Sequence, residues 1–266
     1  MPEKREELLA LYDAQLRTDA ETPSALHVQR LGPLRLVTFA EGRGFITYPH
    51  FSTTAPQSLA ELAAPALEYF LAQPEISTVE FKTRVHDHAP GLAQRLEELG
   101  FIPEPTESIM IGFMQSLISN QAPPPGLVVR QVKSPAQIET MCRMVARAFD
   151  EPYDPAITNA LVSRTARDDG MELWVAEVEG QMVGAGRLEP VVGSEFAGLW
   201  GGGVLPEHRG CGIYRALTDA RARSAIAHGL RYVHSDSTEY SRPILESQGL
   251  LKVSSTTPYV WNRASS

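Results

Sequence analysis

Hydrophobic and polar residues in the second half of this chain follow two periods in turn. Residues 127–132, 172–178, 182–188, 197–205 and 232–236 are apolar runs of strand length. Residues 136–149 repeat instead at helical spacing, with Ile138, Met141, Cys142 and Val145 on one face. Residues 213–227 do the same through Ile213, Ala216, Leu217 and Ala220, and Gly229 stands where a helix C-cap would. Glu179-Gly180 between two of the runs is a hairpin turn signal. Residues 243–248 read as a short helix and 252–261 as a closing strand pair. The predicted order is strand, helices, hairpin, strand, loop and helix, strand, helix, strand.

The first half carries an echo. Leu96-Glu97-Glu98-Leu99-Gly100-Phe101 resembles Leu245-Glu246-Ser247-Gln248-Gly249-Leu250, at an offset of 249 − 100 = 149 residues. Each block follows a strand-like run, 78–82 or 232–235, and precedes another, 109–113 or 258–261. Residues 59–71 supply a matching central helix, and Gly42 and Gly44 lie in a predicted hairpin. A helix that stops at a glycine before an apolar residue is also ordinary C-cap chemistry. Between the halves, Gln121-Ala122-Pro123-Pro124-Pro125-Gly126 can continue neither a helix nor a central strand. The expected division is 1–120, a linker at 121–126, and 127–266.

The segment VLPEHRGCGIYRAL, residues 204–217, is where chemistry is most legible. A strand, a glycine turn and a helix start in succession expose unpaired N–H groups that attract an anion. Gly210 and Gly212 allow close approach, and Arg209 adds a positive charge. The nucleoside-triphosphate loop is excluded, because Ile213-Tyr214 stands where Lys-Ser/Thr is needed. The dinucleotide fingerprint fails because Arg215 stands at its third glycine.

Composition narrows the rest. The 266 residues, 43% hydrophobic and 21% charged, are those of a globular protein with one large domain or two ordinary ones. No apolar run has the length of a membrane span, and the start MPEKREELLALYDAQ lacks the apolar core of a secretory signal. Two cysteines, Cys142 and Cys211, fit a reducing cytoplasm, and the net charge of −8 argues against nucleic-acid binding. The expectation is a cytoplasmic protein with neither a membrane nor a nucleic-acid partner; a homodimer is left open.

Arg209, Gly212 and Tyr214 occupy the defined positions of a loop that resembles the acyl-CoA loop of the GNAT acyltransferase superfamily, Arg/Gln-x-x-Gly-x-Gly/Ala. Val204-x-Pro206-Glu207-x-Arg209 before it is similar, and the element order of 127–261 is the superfamily's order. Tyr214 departs from the small residue usual there. The resemblance implies the GNAT fold, a mixed and mostly antiparallel α/β sheet flanked by helices, in two tandem copies. The first copy is degenerate and has lost its loop. It implies acetyl transfer from acetyl-CoA to an amine of a small molecule or peptide by direct attack, with no metal. Mycothiol synthase and related tandem enzymes share this layout. The implied cofactor contacts are Gly202, Gly203, Val204, Arg209, Gly210, Cys211, Gly212, Ile213, Tyr214 and Arg215. The pantetheine arm would lie along Gly202–Val204, and the amide of Val204 or Gly203 would face the thioester oxygen. The run of three glycines from 201 is read as close approach by a ligand, against a tight sheet–helix contact.

An alkylamine is only about one part in a thousand neutral at pH 7, so a base or a water chain is expected. The superfamily's strand glutamate falls at Gly198, and its helix tyrosine falls at Leu245. Glu195, Glu239, His234 and Asp236 are the candidate bases, each also readable as a solvated loop group. Tyr214 and Tyr240 are the candidate acids. Cys211 at a helix start invites a covalent route, but its only fitting histidine is His208, and direct attack is preferred. The acidic, aromatic stretch Phe149-Asp150-Glu151-Pro152-Tyr153-Asp154 would suit an ammonium acceptor or be an exposed loop. His86-Asp87-His88 lacks further ligands at zinc-like spacing. Trp200 reads as core or as a pocket wall. The rival reading is a sensor or scaffold that binds acyl-CoA without chemistry.

Overall fold

The structure, a computed structural model, describes residues 2–51, 58–167 and 169–264. The chain begins with α1 (Pro2–Gln15), β1 (His27–Leu31), β2 (Leu34–Phe39) and β3 (Arg43–Thr47). It continues through α2 (Leu59–Leu71), β4 (Thr78–Arg84), α3 (Leu92–Glu98), β5 (Ile102–Pro103) and β6 (Glu107–Phe113). Then follow β7 (Leu127–Val132), α4 (Pro135–Phe149), α5 (Pro155–Thr165), β8 (Glu172–Val178), β9 (Gln181–Pro190) and β10 (Phe196–Val204). The last elements are α6 (Ile213–Ala227), β11 (Tyr232–Ser237), α7 (Arg242–Ser247) and β12 (Leu251–Asn262).

Two compact units emerge, and neither is continuous in sequence. The first comprises 1–110, 236–244 and 251–266; the second comprises 111–235 and 245–250. A cut at 121–126 therefore does not describe them. The physical reason is strand pairing. β12 is one strand rather than the expected pair, and it binds β4 antiparallel from Thr256↔Arg84 to Asn262↔Thr78. Tyr259 of β12 joins the core built by Leu36, Ile46, Phe70, Phe81 and Leu96. The second unit draws on the first half in turn, stacking Phe113 on Tyr232 at 5.3 Å and seating Gly112 against Leu250.

In the first unit β1, β2 and β3 form an antiparallel meander, and β3 pairs parallel with β4 after crossing over through α2. In the second unit β7, β8, β9 and β10 are antiparallel neighbours, and β10 pairs parallel with β11 after crossing over through α6. Both are mixed, mostly antiparallel sheets flanked by helices. The β8–β9 turn closes at Glu179-Gly180, both residues at positive φ, as a two-residue hairpin requires. The repeated block forms the same helix stop twice. Phe101 N–H donates to Leu96 O at 3.0 Å, and Leu250 N–H to Leu245 O at 3.1 Å, each beyond a glycine at positive φ.

The buried face of α6 differs from the expected one. Ile213, Leu217, Thr218, Arg221, Ala222 and Ala225 are buried, whereas Ala216 and Ala220 lie at its margin. Arg221 is 1% exposed. Gly186 on β9 makes room for it, since a Cβ there would strike its guanidinium. α5 was not assigned from the sequence; Asp154 caps it through a bond from Ala156 N–H at 2.8 Å.

Candidate active site

The β10–β11 ladder is short, from Phe196↔Tyr232 to Gly198↔His234. Beyond it β10 runs on beside β9 alone, through a register shift between Trp200 and Gly203. Leu205 N–H donates to Val183 O at 2.9 Å. Antiparallel alternation therefore turns the Val204 N–H and C=O away from β9, toward the side where β11 has ended. Arg209 holds that carbonyl, with Nε 3.1 Å from Val204 O and an Nη 2.5 Å from Ala148 O. Val204 is left with an N–H pointing out of the ladder.

The loop that follows leaves a helix start open. Gly212 takes φ +81°, a conformation that favours glycine, and it starts α6 with no side-chain cap and no acid in the first turn. The amides of Gly212, Ile213, Tyr214 and Arg215 thus form an uncapped helix start. Gly210 has open space around it, and Cys211 is exposed. The cation at this start is Arg215. Its guanidinium lies across Gly212, within 2.8 Å of where a Cβ would be, and has no hydrogen-bond or ion-pair partner among the described residues. Arg209, expected to supply charge here, is fixed by two backbone carbonyls, which are neutral and leave its charge beside the loop.

The glycines of β10 have packing reasons as well. A Cβ on Gly202 would lie 2.9 Å from the Tyr214 ring, and one on Gly203 would lie 3.1 Å from Phe149. The tight sheet–helix contact therefore accounts for these two positions. Gly201 takes φ +56° at the bulge, beside the Arg187 guanidinium. Tyr214 has its hydroxyl 3.3 Å from the same Gly202 point, and its phenol is near enough to the Arg221 guanidinium to act on it electrostatically. Burial pushes Arg221 below the ordinary arginine value, and Tyr214 pulls it back up.

The candidate bases are dispersed. Glu195 precedes β10 at the end opposite the loop, roughly 30 Å of strand away, and pairs with Arg231 at 2.8 Å. That corrects its assignment as a base. Glu239 and Tyr240 lie in 236–244, which belongs to the first unit, and Tyr240 is 83% exposed. Asp236 is bound to Lys82 at 2.6 Å; burial alone would lower that lysine, but Asp236 raises it. His234 stacks edge-on against Trp200 at 5.3 Å. The space a side chain at Gly198 would need is filled by the Trp200 indole, so a strand carboxylate has no room there.

The acidic loop is largely structural. Phe149 packs on Gly203, Asp150 ends α4 in a left-handed turn, and Asp154 caps α5. Arg143 covers the Tyr153 ring at 4.0 Å, and the Tyr153 hydroxyl bonds Thr158 at 3.0 Å. The expected cation–π surface at Tyr153 is therefore occupied on that face. A cavity opens beside this loop, lined by Cys142, Val145, Tyr153 and Leu161 and reaching Arg187 and Gly201.

In the first unit the ligand atoms of Asp13, His50 and His86 lie within 4.8 Å of one another, a cluster that sequence spacing did not reveal. Arg17 already occupies it. Its guanidinium bonds Asp13 at 2.9 Å, Asp87 at 2.8 Å and His86 at 3.1 Å, and reaches the carbonyls of Tyr48 and Pro49. Burial would raise Asp13, but bonds from His86 and Arg17 bring it below the usual carboxylate value.

Residues 138–249 match the acetyltransferase (GNAT) family. Among solved structures, a GCN5-related N-acetyltransferase from Kribbella flavida is similar with a TM-score of 0.68 at 14% identity, covering 92% of this chain and 94% of that one. A tandem GNAT protein from the clavulanic acid biosynthesis pathway covers 98% and 96%, with a TM-score of 0.64 at 13% identity. A GNAT-family acetyltransferase from Novosphingobium aromaticivorans covers 96% and 97%, with a TM-score of 0.56 at 17% identity. No curated protein sequence matches the chain. Among the described residues no helix is long and apolar enough to cross a membrane.

Proposed function

We propose, for a chain whose residues 138–249 match the GNAT acetyltransferase family, that this protein transfers an acetyl group from acetyl-CoA to an amine of a small molecule or peptide. The observation that carries this reading is the uncapped start of α6, flanked by the unpaired Arg215 and preceded by the outward Val204 N–H. The diphosphate would sit on the amides of 212–215, gaining roughly 0.3–2 kcal/mol per favourable dipole interaction. The neutral amine attacks the thioester carbon, and the oxygen that becomes negative accepts the Val204 N–H. As the intermediate collapses, the C–S bond breaks, and the amine proton leaves to water. The thiolate takes a proton from the Tyr214 phenol, whose developing charge Arg221 supports, and the phenolate regains a proton from water.

The test is thiol release from acetyl-CoA over a panel of amines. Turnover is expected, falling at least tenfold in Tyr214→Phe with CoA affinity unchanged. Tight CoA binding without turnover on a broad panel would sink the transferase reading and support the sensor. The sensor is favoured by one observation, the Trp200 indole occupying the room of a strand carboxylate at Gly198.

The first unit is read as a copy of the same fold without the loop. Its support is the matching parallel crossover through α2 and the matching helix stop at Gly100.

A further inference from the structure

Among the described residues, Arg187 is the one guanidinium that reaches the cavity beside the β10 bulge. It stands on β9 opposite Trp200, and its side chain is 29% exposed. Its Nε lies 3.0 Å from Glu189 Oε1 without the alignment of a hydrogen bond. Glu189 also pairs with Arg164, which in turn holds Asp169 at 3.0 Å. One carboxylate is thus shared between two guanidiniums. The two Nη groups of Arg187 have no acceptor among the described residues. Around them the cavity wall is mostly apolar, with Met141, Val145, Leu161 and Ala185, and it also carries the Glu151 and Asp154 carboxylates of the acidic loop. Four N–H donors in a fork beside that apolar wall match a planar oxyanion better than any other small group.

We propose that Arg187 recognises a carboxylate carried by one of the two substrates. This rests on the transferase reading and names the substrate class. Arg187 faces Gly201, three residues before Val204 and so on the order of 10 Å along the strand from the oxygen-binding amide. An amino acid acceptor or a dicarboxylic acyl thioester would carry such a carboxylate. Asp154 is engaged in capping α5 and Arg143 covers Tyr153, so the remaining lining carboxylate, Glu151, is the one with no side-chain partner among the described residues.

The full chain is assayed for thiol release with acetyl-CoA and either L-leucine or isoamylamine, and with succinyl-CoA and isoamylamine. A carboxylated pair is expected to exceed the uncharged pair at least tenfold in kcat/KM. Preference for leucine locates the carboxylate on the acceptor, and preference for succinyl-CoA locates it on the acyl group. Arg187→Met should remove that preference mainly through KM, leaving the uncharged pair within twofold and CoA affinity unchanged. Arg187→Lys, which keeps the charge without the fork, should fall between. Equal loss on all pairs, or preference for the uncharged pair, overturns the proposal while leaving the transferase reading intact. If CoA binds but no pair turns over, the transferase reading is decided on the broader amine panel. Thermal shift then decides the inference: stabilisation by N-acetyl-leucine but not its amide, lost in Arg187→Met, upholds it, and no difference overturns it.

Discussion

The central helices of the two units begin in opposite ways. α2 starts at Ser58 with a complete capping box: Glu61 N–H donates to Ser58 Oγ at 3.2 Å, and Ser58 N–H to Glu61 Oε2 at 2.8 Å. Those bonds hold the Glu61 carboxyl below its usual value, so the start of α2 carries a negative charge at neutral pH. α6 starts at a left-handed glycine with no cap and no acid, beside an unpaired arginine. The same contrast holds in the strands before them. After β3, the carbonyls of Tyr48 and Pro49 are taken by buried Arg17, itself neutralised by Asp13 and Asp87. After β10, Arg209 takes one carbonyl and the Val204 amide stays open. A helix start binds an anion only while its own side chains leave it alone.

The largest expected effect comes from breaking the filled side. Arg17→Met leaves the fully buried Asp87 carboxylate uncompensated and should cost about 3–5 kcal/mol in urea unfolding, while a preserved midpoint would refute a structural role. Next, Gly210→Asp gives the α6 loop an acid like that of α2. CoA affinity should fall about a hundredfold, near 2.7 kcal/mol, and Gly210→Asn, which puts the same strain on the positive φ of +74° without the charge, should bind CoA much more tightly than the aspartate variant. The two loop arginines should then separate. Arg209→Gln is expected to lower stability by about 2 kcal/mol through its lost carbonyl bonds. Arg215→Gln should leave the melting temperature alone and weaken CoA roughly tenfold in calorimetry; the reverse pattern would reinstate Arg209 as the phosphate ligand. The smallest effect belongs to α2. Ser58→Ala should cost about 1 kcal/mol and leave CoA affinity untouched. Because the folded value of Glu61 is depressed, its contribution is present above the ordinary carboxylate range and lost as pH falls through the depressed value. In Glu61→Gln that acid-side loss should disappear from the pH dependence of the unfolding midpoint.

Much of the second unit was legible from periodicity. The strands at 127–132 and 172–178, the helix at 213–227 and the turn at Glu179-Gly180 stand where the pattern put them, because local propensity and burial agree there. The glycine loop was legible for the same reason. α5 was not assigned, since the stretch before it was read as a ligand-facing loop rather than as Asp154 capping a helix. Arg221 could not be read as core, because an arginine on an apolar face becomes intelligible only with Gly186 beside it. Glu195 was misplaced because nearness in sequence to a loop says nothing about which end of a strand a residue occupies.

By itself, the sequence determined most of the helices and strands of the second unit, where α6 starts and that this start bears no cap, because these depend on neighbours within a few positions. Only tertiary structure decided that β12 completes the first unit, that Arg209 binds backbone while Arg215 stays unpaired, and that Arg17 sits among Asp13, His86 and Asp87. Those outcomes turn on which distant groups compete for the same hydrogen bonds and the same buried space, and spacing along a chain does not encode that competition.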